Sequence, residues 1–264
     1  MAGLDVARTA LVLTEEELAV AALVGAEPEH PSLAEPPAPE MIERLERAGI
    51  ASGGRVSGYP ARLLAVVAAP KLRVTVERFA AAETLVDRAW ATERFGVWGE
   101  VTRERALELT PVEPGLLPWA ISRAVGLGPR ARPKLERPIA LASSALDEAF
   151  ERYAAGDREA AEATLEKSGL APDERAAFLD LLRDRRLSWR ASSIWTDSEL
   201  GERLGSVAVI DAGSSGLWLV DHSDDPLDPM LSVTPIRPSQ AWRRIVELMP
   251  APAAGPRSAE ATGV

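Results

Sequence analysis

Residues 107–114 read LELTPVEP and residues 231–238 read LSVTPIRP, so one pattern returns 124 positions later (231 − 107 = 124). The match extends upstream, where Gly96-Val97-Trp98 corresponds to Gly216-Leu217-Trp218. Two copies are too few for a solenoid, which needs about three or more stacked repeats to close its core. The sequence therefore predicts one structural unit used twice, with quasi-two-fold symmetry.

The hydrophobic periodicity predicts what each unit contains. After Pro70 the pattern changes from helical to alternating, with Leu72, Val74 and Val76 on one side of a strand. Short turns then separate further alternating segments in each half, and an apolar helix follows them, which is typical of an antiparallel meander with a closing helix. We expect an α+β fold: mixed α/β with an internal duplication, built from two antiparallel meander sheets that are each flanked by helices.

The chain divides into four consecutive segments. We expect a first α+β half at 1–128, with helices, a four-stranded meander and a closing helix, then a linker at 129–138, a second α+β half of the same pseudo-symmetric domain at 139–250, and a disordered tail at 251–264. The linker has four basic side chains between three prolines, and the tail is rich in Ala, Pro and Gly.

The N-terminal region carries a complete helix-start signal. Thr14 can cap a helix, and Glu17 three residues later completes a capping box. Leu13 and Leu18 supply the flanking hydrophobic pair that often accompanies this motif. We predict a helix that begins directly after Thr14.

Composition excludes several function classes. A net charge of −10 makes a nucleic-acid phosphate backbone an unfavourable partner. The chain has no cysteine and two histidines far apart, which removes thiolate chemistry and leaves no spacing typical of a metal site. The best candidate stretch, Leu63 to Pro70, is less than half of the roughly 20 residues that cross a bilayer. We expect a cytoplasmic protein with no cofactor, no metal and no membrane insertion.

The sharpest chemical motif is Asp211-Ala-Gly-Ser-Ser-Gly216, which resembles the phosphate loop of actin-fold nucleotide phosphohydrolases such as the apyrases. In that family the motif opens a large domain, whereas 48 residues follow Gly216 here (264 − 216 = 48). Glycine and serine are also the residues that tight strand turns prefer. A structural turn is therefore the first interpretation, and a small nucleotide phosphohydrolase that uses Asp211 is the alternative.

Two tryptophans, Trp98 and Trp218, hold matching positions in the two copies. They could pack under helices, or they could form a partner surface, since tryptophan is enriched among binding hot spots. The binding hypothesis places Trp98, Trp218 and their neighbours Val97 and Leu217 on a docking surface. Its rim would be two loops, Ala80 to Thr84 and Thr196 to Ser206, which contain the two further candidates, Ala82 and Glu199.

The order of these segments resembles the EspG family of type VII secretion-associated proteins over most of residues 10 to 250. The resemblance rests on five stretches: the opening helix Leu13 to Leu23, the helix end Arg44 to Ile50, the helix-proline-strand passage Leu63 to Val76, the strand Leu107 to Pro111 with the apolar helix after it, and the closing segment Leu231 to Met249. Two stretches depart from the family pattern: Arg183 to Arg190 is a reduced arginine-rich segment, and Thr196 to Ser206 has no counterpart.

The resemblance implies a cytosolic chaperone without catalytic residues. Such a protein binds the exposed hydrophobic tip of helical PPE proteins in PE/PPE heterodimers, keeps them soluble and passes them to the export machinery. The expected partner is therefore a helical, PPE-like secretion substrate. Nucleotide binding measured by calorimetry would separate this function from the phosphohydrolase alternative.

Overall fold

The computed structural model describes residues 3–5, 10–25, 38–80, 83–197, 201–222 and 230–250. Eight α-helices lie in this part of the chain: α1 (Glu15–Gly25), α2 (Pro39–Arg47), α3 (Gly58–Ala68), α4 (Leu117–Ala124), α5 (Ser143–Ala154), α6 (Arg158–Lys167), α7 (Pro172–Asp184) and α8 (Pro238–Glu247). The predicted tail at 251–264 lies outside the described residues.

Thirteen strands lie in the same described ranges: β1 (Gly3–Asp5), β2 (Ala10–Leu13), β3 (Ala51–Ser52), β4 (Arg55–Val56), β5 (Leu72–Phe79), β6 (Thr84–Ala91), β7 (Gly96–Val101), β8 (Leu107–Val112), β9 (Ile139–Ala142), β10 (Leu187–Asp197), β11 (Gly201–Asp211), β12 (Leu217–His222) and β13 (Met230–Ile236). Short 3-10 turns occupy Pro114–Leu116 and Gly213–Ser215. The predicted α+β class is confirmed.

Eleven of the strands form one sheet in the order β1-β2-β8-β7-β6-β5-β10-β11-β12-β13-β9, while β3 and β4 form a separate two-stranded hairpin. The two predicted meanders, β5–β8 and β10–β13, are both present. They are not separate sheets, because β5 pairs antiparallel with β10 from Leu72↔Trp195 to Phe79↔Ser188. Two separate meanders would leave the polar backbone groups of β5 and β10 unpaired, and this junction satisfies them.

Outward from the β5–β10 junction, each half places the four strands of its meander in chain order: β5, β6, β7, β8 on one side and β10, β11, β12, β13 on the other. Leu107 lies in β8 and Leu231 lies in β13, which are the fourth strands of their meanders. This order is what a duplication predicts. A superposition of residues 60–126 on residues 174–250 would test it.

Three buried clusters divide the two faces of the sheet. The central cluster lies under α4 and α8 and draws on both meanders, for example Trp98 and Leu219. The opposite face carries one cluster at each end: an N-terminal cluster under α1, α2 and α3, and a C-terminal cluster under α5, α6 and α7. Since α4 and α8 rest on a single cluster, the two halves share a core.

The capping box at the start of α1 is confirmed. The Glu17 carboxylate accepts a hydrogen bond from the Thr14 backbone N–H at 2.9 Å, and the Glu17 N–H donates to the Thr14 hydroxyl at 3.2 Å. Glu17 also pairs with Arg44 of α2 at 2.5 Å, so the same side chain fastens α2 to α1.

Candidate functional site

The four predicted contact residues on β7 and β12 are core residues. Trp98, Trp218, Val97 and Leu217 are each at most 2% exposed. Trp98 and Leu217 lie in the central cluster, and the indole N–H of Trp218 donates to the Ser215 carbonyl at 2.9 Å inside the C-terminal half. Side chains this deeply buried present almost no surface to a partner, which argues against the docking role predicted for these residues.

The two tryptophans also do not hold equivalent places. Trp98 pairs with Thr110, whereas Trp218 pairs with Pro235. In the register set by the shared Thr-Pro pair, the residue opposite Thr234 is Leu219, so Leu219 is the counterpart of Trp98. A shift of one residue along a strand moves the side chain to the other face. Trp98 therefore faces α4, while Trp218 faces α5–α7.

The remaining two candidates, Ala82 and Glu199, lie outside the described residues. Their loops begin and end in described positions, and Ala80, Glu83 and Thr196 are exposed there. These flanking residues do not test the predicted rim, which stays a prediction.

The turn at Asp211 to Gly216 is a structural junction. Asp211 is buried and accepts from Arg130 through two guanidinium nitrogens, at 2.9 and 2.6 Å, and from the Gly213 N–H at 2.9 Å. Burial raises the pKa of Asp211, but the hydrogen bonds from Arg130 and Gly213 outweigh it and hold that pKa below its ordinary value.

The two serines of this turn also hydrogen-bond other parts of the protein. The Ser214 and Ser215 hydroxyls donate to the Asp184 carboxylate at 2.6 and 2.7 Å, at the end of α7. A loop that cradles a phosphate needs free donors, and here both serine hydroxyls already donate to a protein carboxylate. The arrangement supports the structural interpretation of the motif: it ties the linker and α7 to the sheet.

A different surface is available at the centre of the sheet. Along β10, Trp189 and Ala191 face the central cluster, so alternation turns their neighbours Ser188, Arg190 and Ser192 to the opposite side. The equivalent positions of β5 and β11 turn the same way. We call this surface the open face, and it comprises Arg73, Thr75, Glu77, Phe79, Ser188, Arg190, Ser192, Ile194, Leu204, Ser206 and Ala208. None of these side chains is buried, and none belongs to the three buried clusters.

The open face lies between two groups of helices. The N-terminal cluster covers the same side of the sheet at one end and the C-terminal cluster at the other, so the helices of each group flank β5, β10 and β11. Three adjacent strands span about 10 Å between the outer two axes. That is close to the diameter of one α-helix with its side chains, roughly 10 Å. The open face is therefore the floor of a groove that one helix or helical tip could enter.

The chemistry of the open face is mixed. Ile194 and Leu204 are direct cross-strand partners near one end, and Leu204 is 74% exposed. Phe79 lies near the other end. Between them the floor has small polar side chains and one ion pair, Arg190 to Glu77 at 2.6 Å. Apolar anchors with hydrogen-bonding groups between them are what a protein-binding surface requires.

One sequence signal could have located this groove. The strands β7 and β12 are apolar on both faces, as Val97-Trp98 and Leu217-Trp218-Leu219 show, and a strand of that kind is covered on both sides. The first half of β10 alternates between apolar and polar residues, which indicates one open side. Alternation in β10, rather than the tryptophans, pointed to the accessible surface.

Two further properties concern the described residues only. Within them, no group of three or more His, Asp or Glu side chains is arranged to hold a metal ion. No helix in the same ranges has the length and apolar character needed to cross a membrane.

Comparisons with known proteins identify the relatives of this chain. The EspG family model matches residues 38–247. No curated protein matches the sequence. Among solved structures, the fold is similar to that of the Mycobacterium tuberculosis type VII secretion system chaperone EspG5, solved in complex with a PE25-PPE41 dimer. The TM-score is 0.58 at 14% sequence identity, and the match covers 92% of this chain and 97% of the EspG5 chain.

Proposed function

The chain belongs to the EspG family, whose model spans 210 of its 264 residues (247 − 38 + 1 = 210), and from that premise we propose a function in type VII secretion. The protein is a cytoplasmic chaperone and adaptor for helical, PPE-like substrates in PE/PPE heterodimers. It keeps the substrate soluble before export and presents it to the secretion machinery.

One observation carries the proposal. The fold of this chain corresponds along nearly its whole length to that of EspG5, a chaperone that was solved bound to a PE25-PPE41 dimer. Family membership supports the same class of client here. The proposal assigns no catalytic residue, and it accounts for Asp211 as a structural carboxylate bound to Arg130.

We propose the open face as the client surface. Its width suits a helical tip, and Ile194 and Leu204 supply an apolar contact for the hydrophobic end of such a tip. Leu204 has most of its surface in water, and full burial of a leucine side chain stabilises a complex by about 1.5–3 kcal/mol. The serines and threonine between the apolar ends can hydrogen-bond the polar backbone groups that a helix end leaves unpaired.

The experiment uses a PE/PPE pair encoded in the same genome as this chain, with binding measured by calorimetry on the full-length protein. Leu204→Asp should weaken binding at least 10-fold, because it places a charge at an apolar contact. Ser192→Arg, which adds bulk to the floor of the groove, should do the same.

The matched control is Val246→Asp, an equally drastic change at an exposed apolar residue of α8, which packs on the other side of the sheet from the open face. It should bind as the wild type does. Wild-type affinity in both Leu204→Asp and Ser192→Arg would reject the open face as the client surface. Absence of binding by the wild-type protein to every PE/PPE pair of the genome would reject the proposed function itself.

A further inference from the structure

The helices α4 and α8 expose an aromatic pair on the side of the sheet opposite the open face. The Trp119 and Trp242 rings lie 4.5 Å apart between centroids and are tilted by 49°. Trp119 is 63% exposed, and Leu116 and Val246 on either side are also exposed. These four side chains form what we call the tryptophan ridge.

The ridge is separate from the side chains that pack α4 and α8 onto the sheet. Each helix already buries a separate inward stripe, Leu117 and Ile121 on α4 and Ala241 and Ile245 on α8, and these four residues have no accessible surface. Tryptophan is among the residues most enriched at binding hot spots, and contiguous exposed apolar side chains mark interaction sites. Beside Trp119 lies a cleft of about 250 Å³, lined in part by Val112 and Leu116, which could accept an apolar side chain.

A basic cleft adjoins the ridge at the N-terminal end of α8. It has a volume of about 490 Å³, and its charged lining residues are Arg132, Arg237 and Arg243 against the single carboxylate of Glu136. Arg132 lies 3.8 Å from Glu136. Arg237 and Arg243 form no ion pair with any residue of the described ranges. The cleft is therefore positive in a protein whose net charge is −10.

The ridge and the basic cleft are one continuous surface along α8. Ser239, Arg243 and Val246 follow the i, i+4, i+7 spacing of a single helix face, and Trp242 is the immediate neighbour of Arg243. A ligand that lies along this face would meet guanidinium groups first and aromatic rings next.

We propose that the α4–α8 face docks an acidic segment of a second protein partner, distinct from the export client. Carboxylates of the segment enter the basic cleft, where guanidinium groups bind carboxylates with two parallel hydrogen bonds. An apolar side chain of the same segment packs against the tryptophan ridge. A polypeptide fits better than an anionic bilayer, because the cleft is concave and a segment of chain can enter it where a flat bilayer surface cannot.

Fluorescence anisotropy on the full-length protein tests the proposal with two labelled 18-residue amphipathic peptides. One carries glutamate on its polar face and leucine with one tryptophan on its apolar face, and the other has lysine in place of each glutamate. The acidic peptide should bind at least 10-fold tighter, and its affinity should fall as salt screens the charges.

Two variants and a control locate the contact. Arg243→Glu should weaken binding of the acidic peptide at least 10-fold by reversing a charge in the cleft, and Trp119→Ala should weaken it by removing the ridge. The matched control is Arg103→Glu, another exposed arginine, located in the β7–β8 turn, and it should bind the peptide normally. Equal affinity for the two peptides, or an unchanged affinity in Arg243→Glu, would overturn the proposal.

A parallel measurement uses vesicles of phosphatidylglycerol and phosphatidylcholine. Binding to the vesicles in the absence of binding to the acidic peptide would also overturn the proposal, in favour of a membrane surface. Because the two docking surfaces lie on opposite faces of the sheet, Arg243→Glu should keep its affinity for the PE/PPE client, and Leu204→Asp should keep its affinity for the acidic peptide. Failure of one proposal is thereby distinguishable from failure of the other.

Discussion

At the scale of single residues, Asp211 and Arg130 decide how the linker between the halves is held. Arg130 also donates to the Pro129 and Gly126 carbonyls, at 2.9 and 3.0 Å. One guanidinium therefore links the end of the first half to Asp211 of β11. Several other side chains of the linker are exposed, but Arg130 is largely buried. The sequence gives no sign of this pair, because its members are 81 residues apart.

Arg130→Ala should lower the free energy of unfolding by about 3 kcal/mol, since it leaves the buried Asp211 carboxylate without its counter-charge. Urea denaturation measures the change. The control is Lys134→Ala, a change in the same linker. It removes an exposed ion pair to Asp180 of α7 and should change the free energy of unfolding by less than about 1 kcal/mol. An equal decrease in the free energy of unfolding in the two variants would mean that the buried Arg130–Asp211 pair contributes no more to stability than the exposed pair.

At the scale of elements, local chemistry explains where α1 starts and what it binds. The capping box satisfies backbone groups at the helix start, and Leu13 and Leu18 are both buried in the N-terminal cluster. Burial raises the pKa of Glu17, but the hydrogen bonds from Thr14 and the charge and hydrogen bond of Arg44 lower it more, so the net shift is downward. Glu17 therefore acts as a carboxylate in both of its roles, at the helix start and in the contact with α2.

Thr14→Ala should destabilise the protein by about 1 kcal/mol, the usual effect of losing a side-chain cap. The control is Ser57→Ala, because Ser57 precedes α3 in the capping position but makes no side-chain cap hydrogen bond. That control should stay within about 0.5 kcal/mol of the wild type. Thermal unfolding followed by circular dichroism compares the two, and a larger loss in Ser57→Ala would contradict the role given to Thr14.

At the scale of the whole molecule, the two halves are joined by a strand pair and by a shared core. The β5–β10 ladder runs for eight residue pairs, and the central cluster contains Trp98 and Leu117 from the first half with Trp189 and Ala241 from the second. Separation of the halves would expose this apolar surface and an unpaired strand edge on each. The protein should therefore unfold as one unit.

The prediction at this scale is a single unfolding transition, with fluorescence and circular dichroism giving the same midpoint. Residues 1–128 and 139–250 expressed separately should not unfold cooperatively, whereas co-expression of the two pieces should restore a cooperative complex. A separate second half with its own sharp transition would show that the shared core is dispensable.

The sequence by itself determined the α+β class, the two meanders, the start of α1 and the relation to the EspG family. The first three features depend on periodicity, capping and turn chemistry, which act between residues close along the chain, and the family relation rests on the resemblance of five stretches in their order. Only the tertiary structure decided that β5 joins β10 and that Trp98 and Trp218 are buried on opposite faces. The reason is physical: which face of a strand is covered depends on its register and on helices that are distant in sequence, and a one-residue shift in register reverses the outcome.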